Sequence, residues 1–199
     1  MEKRLLLLFL RLSNVFLRRK DQINIALAGG KTPMEFYRLL SKQNLPWEKF
    51  SFFLTDERFV PLDSDKSNYK NIKENLGEKA KLYPVDTSLP IDRACVEYSK
   101  LLPESLDIAL LGVGEDGHTA SLFPKAECKK VTEKVCISSA PDGTQRVSLS
   151  YEYLNLSCVV IFALKGPTKI EAYQKLLRGD DIPASKVKGR RKTFVVFQP

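Results

Sequence analysis

Short apolar runs alternate along this chain with glycine- or charge-rich turns and with stretches whose apolar residues recur at helical spacing. Ile23–Ala28 reads as a strand ending in Gly29-Gly30, and Pro33 then stands at a helix start, where its missing N–H is tolerated. Met34 to Leu40 follows the helical period, and Phe50–Leu54 is a second strand, ending at Thr55-Asp56-Glu57-Arg58. Residues 67–76 predict a helix with Ser67 or Asn68 as its cap. A helix over 92–102 leads into Asp107–Gly112, a run so apolar that it predicts a strand buried on both faces. Val135–Ser138, Val147–Ser150 and Ser157–Leu164 read as further strands, followed by a helix over 168–177 and a last strand at Thr193–Phe197. Such alternation predicts an α/β fold, a mostly parallel sheet covered by helices on both faces. Neither an internal repeat nor a boundary-length linker interrupts residues 1–199, so one domain is expected.

The first twenty residues test for a targeting segment. Lys3 and Arg4 before Leu5–Leu10 resemble the start of a secretory signal, but the apolar run stops at Arg11. It resumes as an amphipathic pattern through Leu12, Val15, Phe16 and Leu17, and no small-residue cleavage site precedes Arg18–Lys20. A membrane span needs roughly 20 apolar residues. A buried amphipathic helix is the expectation, without membrane association.

Composition narrows the class. Apolar residues make up 43% and charged residues 28%, which supplies a core and excludes a disordered chain; 10 Gly and 11 Pro exclude a collagen-like one. The four cysteines, Cys95, Cys128, Cys136 and Cys158, contain no CxxC pair, and the single His118 cannot complete a zinc cage. No metal site is expected. Reduced cysteines and a cytoplasmic location are the reading. The net charge of +8 is concentrated: residues 1–20 hold six Lys/Arg against Glu2, and residues 165–192 hold nine against Glu171, Asp180 and Asp181. With no aromatic-interleaved RNA motif or helix-turn-helix beside them, these charges suit a phosphorylated small molecule better than nucleic acid.

Ligands of open α/β sheets sit beyond the carboxyl ends of the strands. Three polar clusters fall there: Gly29–Thr32, Asp56–Arg58 and Gly112–His118. The first is a glycine-rich turn entering a helix, either a phosphate cradle with Lys31 and Thr32 adding a charge and a hydroxyl, or simply a tight turn. Gly112–Gly117 matches GxGxxG, yet it sits mid-chain and only Glu133 stands near a ribose-binding position, so a dinucleotide site is not expected. Asp116, two residues before His118, is placed to orient the imidazole as a general base. Ser67 and Ser121 lack a GxSxG elbow. The run Asp56-Glu57-Arg58 predicts a buried ion pair, or else a solvated loop, with Arg58 free to grip an anion.

The segments NIALAGGKTP (24–33), DERFVP (56–61), Ser67-Asn68-Tyr69 and GVGEDGHTASLFP (112–124) resemble the 6-phosphogluconolactonases. So do RVSL (146–149), Gly166–Ala172 around Lys169, and Pro183-Ala184-Ser185. The resemblance implies a Rossmann-like α/β fold, shared with glucosamine-6-phosphate deaminases and ribose-5-phosphate isomerases. It implies hydrolysis of 6-phospho-D-glucono-1,5-lactone without a cofactor; the phosphosugar lactone is the expected partner, and a monomer the expected state. Carried over by position, His118 is the base, Asp116 supports it, and Arg58 contacts the substrate at the oxyanion or the phosphate. Gly29, Gly30, Lys31 and Thr32 with Arg146 and Lys169 hold the phosphate, and Asp56 and Asn68 join the substrate-contacting set. Two alternatives stay open, an amino-sugar-phosphate deaminase or isomerase and a non-catalytic sugar-phosphate sensor. The deaminases carry a carboxylate five residues after the histidine, where this chain has Phe123. The turn also departs from the usual Gly-Gly-Ser-Thr-Pro at Lys31.

Overall fold

The computed structural model describes all residues, Met1–Pro199. Helix α1 (Glu2–Leu17) leads into β1 (Ile23–Leu27), and α2 (Met34–Ser41) returns to β2 (Phe50–Leu54). After one residue comes β3 (Asp56–Arg58), then α3 (Asn68–Leu76), β4 (Lys81–Tyr83), α4 (Ile91–Leu101) and β5 (Ile108–Gly112). Two hairpins join β6 (Lys129–Lys130), β7 (Val135–Ser139) and β8 (Gln145–Leu149). The chain ends with α5 (Tyr151–Asn155), β9 (Val159–Lys165), α6 (Ile170–Arg178) and β10 (Lys192–Gln198).

Six strands pair in parallel in the order β10-β9-β5-β1-β2-β4. Ile25 at the centre lies opposite Phe52 on one side and Ile108 on the other. Consecutive residues of β2, β5 and β9 are buried, which requires cover on both faces and explains why these strands read as continuous apolar runs. In α1, Leu5, Phe9 and Ser13 are buried one turn apart, while Leu7 and Val15 are exposed. Phe9 meets Phe36 of α2 edge to face, with ring centroids 5.5 Å apart. The amphipathic reading of this helix therefore describes its packing, and no helix is long and apolar enough to cross a membrane.

The sheet is not the only one. β3, β8, β7 and β6 form a separate antiparallel sheet in that order. Thr55, fully buried, joins the two: its N–H donates to Leu27 of β1 and its carbonyl accepts from Leu149 of β8. Residues 56–58, expected as a strand end opening into a loop, are themselves a strand, because Asp56, Glu57 and Arg58 pair with Ser148, Val147 and Arg146. A three-residue charged strand has no apolar alternation to announce it.

The expectation of four reduced cysteines is corrected as well. Cys128 and Cys136 are disulfide-bonded, whereas Cys95 and Cys158 are free. The β6–β7 hairpin brings their Cα atoms to 5.5 Å, within disulfide range, although an eight-residue spacing carries no such signal.

Candidate active site

The carboxyl ends of β1, β2, β5 and β9 open on one cavity of about 600 Å³. After β1 the turn Gly29–Pro33 lines it; after β2, Asp56 and Arg58; after β5, Gly112–Gly114, His118, Ser121 and Phe123; after β9, Lys169. The second sheet contributes Arg146 from β8 and Ala140–Asp142 from the turn before it. Every residue that the sequence nominates thus reaches this cavity except Asp116, which is not part of the lining and instead holds the His118 ring.

His118 Nδ1 lies 2.6 Å from Asp116 Oδ1, and the same oxygen accepts the His118 backbone N–H at 3.1 Å. With Nδ1–H committed to the carboxylate, Nε2 is left as the ring's free acceptor. Burial acts to raise the Asp116 carboxyl, but the His118 N–H and imidazole outweigh it and hold the group below the usual carboxylate range. The Phe123 ring packs 4.8 Å from the imidazole, so that flank is apolar. Gly114 is required here, because a Cβ at this position would overlap both the His118 ring and the Asp116 carboxylate.

Four cations line the cavity: Lys31, Arg58, Arg146 and Lys169. None forms an ion pair within the chain. Arg58 and Arg146 are cross-strand neighbours in the β3–β8 register, and Arg58 Nη1 is fixed by donating to the Lys66 carbonyl at 2.7 Å. Burial, and then the Arg58 charge, depress the Arg146 guanidinium from its ordinary value, an arrangement that a bound anion relieves. The backbone N–H groups of Gly29, Gly30, Lys31 and Thr32 donate to no backbone acceptor. They lie just before the N-terminus of α2, a ready anion cradle.

Asp56 lines the same cavity, and hydrogen bonds hold it in place. Its Oδ1 accepts from Thr55 Oγ1 at 2.9 Å and its Oδ2 from Ser121 Oγ at 2.7 Å. Asn68 Nδ2 donates to the Asp56 carbonyl at 2.8 Å, and Gly29 leaves the room for it, since a Cβ there would overlap the Asn68 side chain. Ser121, whose oxygen serves Asp56, was visible in the sequence only as a serine without an elbow. The Ala140–Asp142 turn was not foreseen at all, since its place depends on the antiparallel sheet.

The buried ion pair expected in Asp56-Glu57-Arg58 does not form. Glu57 is fully buried, but its carboxylate accepts from the backbone N–H groups of Arg58, Asn68 and Tyr69 and from Ser67 Oγ. Burial raises its carboxyl and these N–H donors oppose the rise. Backbone donors at the start of α3 take the place of a cationic partner. Arg58 and Asn68, on either side of that knot, are held at the cavity wall. No group of three or more His, Cys, Asp or Glu side chains is arranged to hold a metal ion.

The family model for glucosamine-6-phosphate isomerases/6-phosphogluconolactonase matches residues 1–196. The chain belongs to this family. Among its relatives, the 6-phosphogluconolactonase of Thermotoga maritima is 41% identical over 188 residues, covering 89% of this chain and 84% of the relative. A 6-phosphogluconolactonase from a Nostoc species is 31% identical over 176 residues, 77% of this chain and 70% of the relative. The crystal structure of the Thermotoga maritima 6-phosphogluconolactonase superposes with a TM-score of 0.91 at 38% identity, covering 99% of this chain and 95% of that one. As a member of this family the chain has the family's α/β architecture, and its similarity runs to the lactonases.

Proposed function

We propose that this chain hydrolyses 6-phospho-D-glucono-1,5-lactone to 6-phospho-D-gluconate, the second step of the oxidative pentose phosphate pathway. The observation that carries the reading is the Asp116–His118 pair at a cavity whose four cations form no ion pair within the chain. Relatives named 6-phosphogluconolactonase support the substrate class.

The lactone's phosphate is held by the N–H groups of Gly29–Thr32 with Lys31, Arg146 and Lys169, and its hydroxyls reach Asp56 and Asn68. His118 Nε2 takes a proton from water as the water oxygen attacks C1. Arg58 stabilises the negative charge that develops on the carbonyl oxygen. The tetrahedral intermediate collapses by breaking the bond from C1 to the ring oxygen, and His118 returns its proton to that oxygen. Asp116 stabilises the imidazolium between the two transfers. A positioned base of this kind contributes about 10²–10⁴-fold. That suffices for a lactone, which needs no covalent nucleophile.

Phe123 argues against the deaminase reading. It occupies the place of that reaction's second carboxylate and presents an apolar ring to His118. We assign the reaction to a single domain acting as a monomer in the cytoplasm. One 45-residue core runs from Leu5 to Val187, and a charged phosphosugar does not cross a bilayer unaided. The test generates the lactone in place with glucose-6-phosphate dehydrogenase and follows its decay. The protein accelerates the decay and His118→Ala does not; unaltered decay with folded protein rejects the reading and leaves a sugar-phosphate sensor.

A further inference from the structure

A second cavity, of about 360 Å³, adjoins the first and shares with it Gly29, Lys31, Arg58, Asp142 and Arg146. Its own side is closed by Lys66 in the loop before α3, Asn71 of α3 and Thr144 in the β7–β8 turn. His118, Ser121 and Lys169 do not reach it. It therefore does not hold the base, and its chemistry is that of binding.

The charge balance of this space is one-sided. Lys31, Arg58, Lys66 and Arg146 all line it, and none forms an ion pair within the chain. Two acids also line it, and Asp142, its carboxyl lowered by hydrogen bonds from Thr144, lies close enough to Arg146 and Lys66 for their charges to lower it further. Asp65 is bound to Lys70 at 2.6 Å, and Asp142 Oδ1 accepts the Thr144 N–H of its own turn at 3.0 Å. The lining thus sets four cations, an amide and a hydroxyl against two carboxylates, one of them paired with Lys70, and the balance stays positive, as an oxyanion requires.

We propose that the second cavity is a separate site for a phosphate-type oxyanion, carried by a molecule other than the lactone being hydrolysed. The proposal rests on the reading of the first cavity as the lactone's. An anion in the second cavity partly neutralises Lys31, Arg58 and Arg146, which the two sites share. It thereby weakens the hold on the substrate's phosphate, raising KM, and by drawing on Arg58 it lowers kcat as well.

Inorganic phosphate and a phosphomonoester share this chemistry, so inorganic phosphate and glycerol 3-phosphate are each titrated calorimetrically into the protein saturated with 6-phosphogluconate. One further equivalent of at least one of them binds, and which one binds identifies the source. Lys66→Ala is the control: Lys66 is exposed, and only its backbone carbonyl holds Arg58, so KM and kcat in phosphate-free buffer stay unchanged. In this variant affinity for the added anion falls about tenfold or more, as expected for a lost charge-assisted contact, and the anion's effect on KM falls with it. Absence of binding to the saturated protein, or equal affinity in the variant, overturns the proposal. If the protein does not turn over lactone, phosphate alone is counted: two equivalents uphold the second site, and one overturns it.

Discussion

One carboxylate oxygen, Asp116 Oδ1, holds both the ring and the backbone of His118, at 2.6 Å from Nδ1 and 3.1 Å from the amide nitrogen. The imidazole cannot turn its Nδ1 toward the cavity without giving up that carboxylate. His118→Ala is expected to lower kcat by about 10²–10⁴-fold and to change stability by no more than about 0.5 kcal/mol, since the residue sits in a loop and is partly exposed. Asp116→Asn keeps a side chain of the same shape but loses the charge that stabilises the imidazolium. Its kcat falls by about tenfold or more. Steady-state kinetics across pH check both, and full activity in either variant removes it from the catalytic pair.

Gly114 gives an independent handle on the same pair. Gly114→Ala places a methyl group where the His118 ring and the Asp116 carboxylate now lie. The expected outcome is a loss of kcat approaching that of His118→Ala, with the melting temperature far less affected than by a core truncation. A variant with undiminished kcat and an unmoved imidazole resonance shows that the pair tolerates displacement.

Arg146 enters the cavity from β8 and Lys169 from the helical turn after β9, and neither forms an ion pair within the chain. Arg146→Ala and Lys169→Ala are each expected to raise KM by about 10- to 100-fold, the value of a charge-assisted hydrogen bond, with a smaller effect on kcat. Arg146→Lys recovers only part of the loss, because a single ammonium cannot reproduce a bidentate contact. An unchanged KM in both alanine variants moves the phosphate elsewhere.

Glu2 ties the start of α1 to the end of β9 by accepting from Lys165 Nζ at 2.7 Å. That hydrogen bond, with the helix's own N–H groups and nearby positive charge, lowers the Glu2 carboxyl from the ordinary 4.5 to about 2. The folded value lies below the unfolded one, so the contribution to stability is complete above about pH 4.5 and is lost as pH falls toward 2. Glu2→Gln is expected to flatten thermal stability across that window while leaving it nearly unchanged in slope at neutral pH. Melting curves at closely spaced acid pH values decide it; a slope equal to the parent's assigns the acid loss to other carboxylates.

Much of this architecture was legible because it is written locally. Apolar runs such as Phe50–Leu54 and Asp107–Gly112 can satisfy their backbones and bury every side chain only in a doubly covered parallel sheet, and they do so. The cap at Ser67 was equally local: its hydroxyl accepts the Lys70 N–H one turn on, as the spacing predicts. The Asp116–His118 geometry needs only a two-residue turn.

Long-range pairing had no such signature. Glu57 looked like half of an ion pair, yet its partners are N–H groups of a helix that begins eleven residues later. Arg146 reaches the cavity because β8 pairs with β3 across some ninety residues of chain, and the same sheet carries the turn at Asp142 and the hairpin that joins Cys128 to Cys136. By itself, then, the sequence determined the parallel sheet, the polar loops at its carboxyl edge and the histidine with its carboxylate, since each follows from residues within a few positions of one another. Only the tertiary structure decided which cations share a cavity and which acid lacks a cationic partner, because those depend on contacts that no local period encodes.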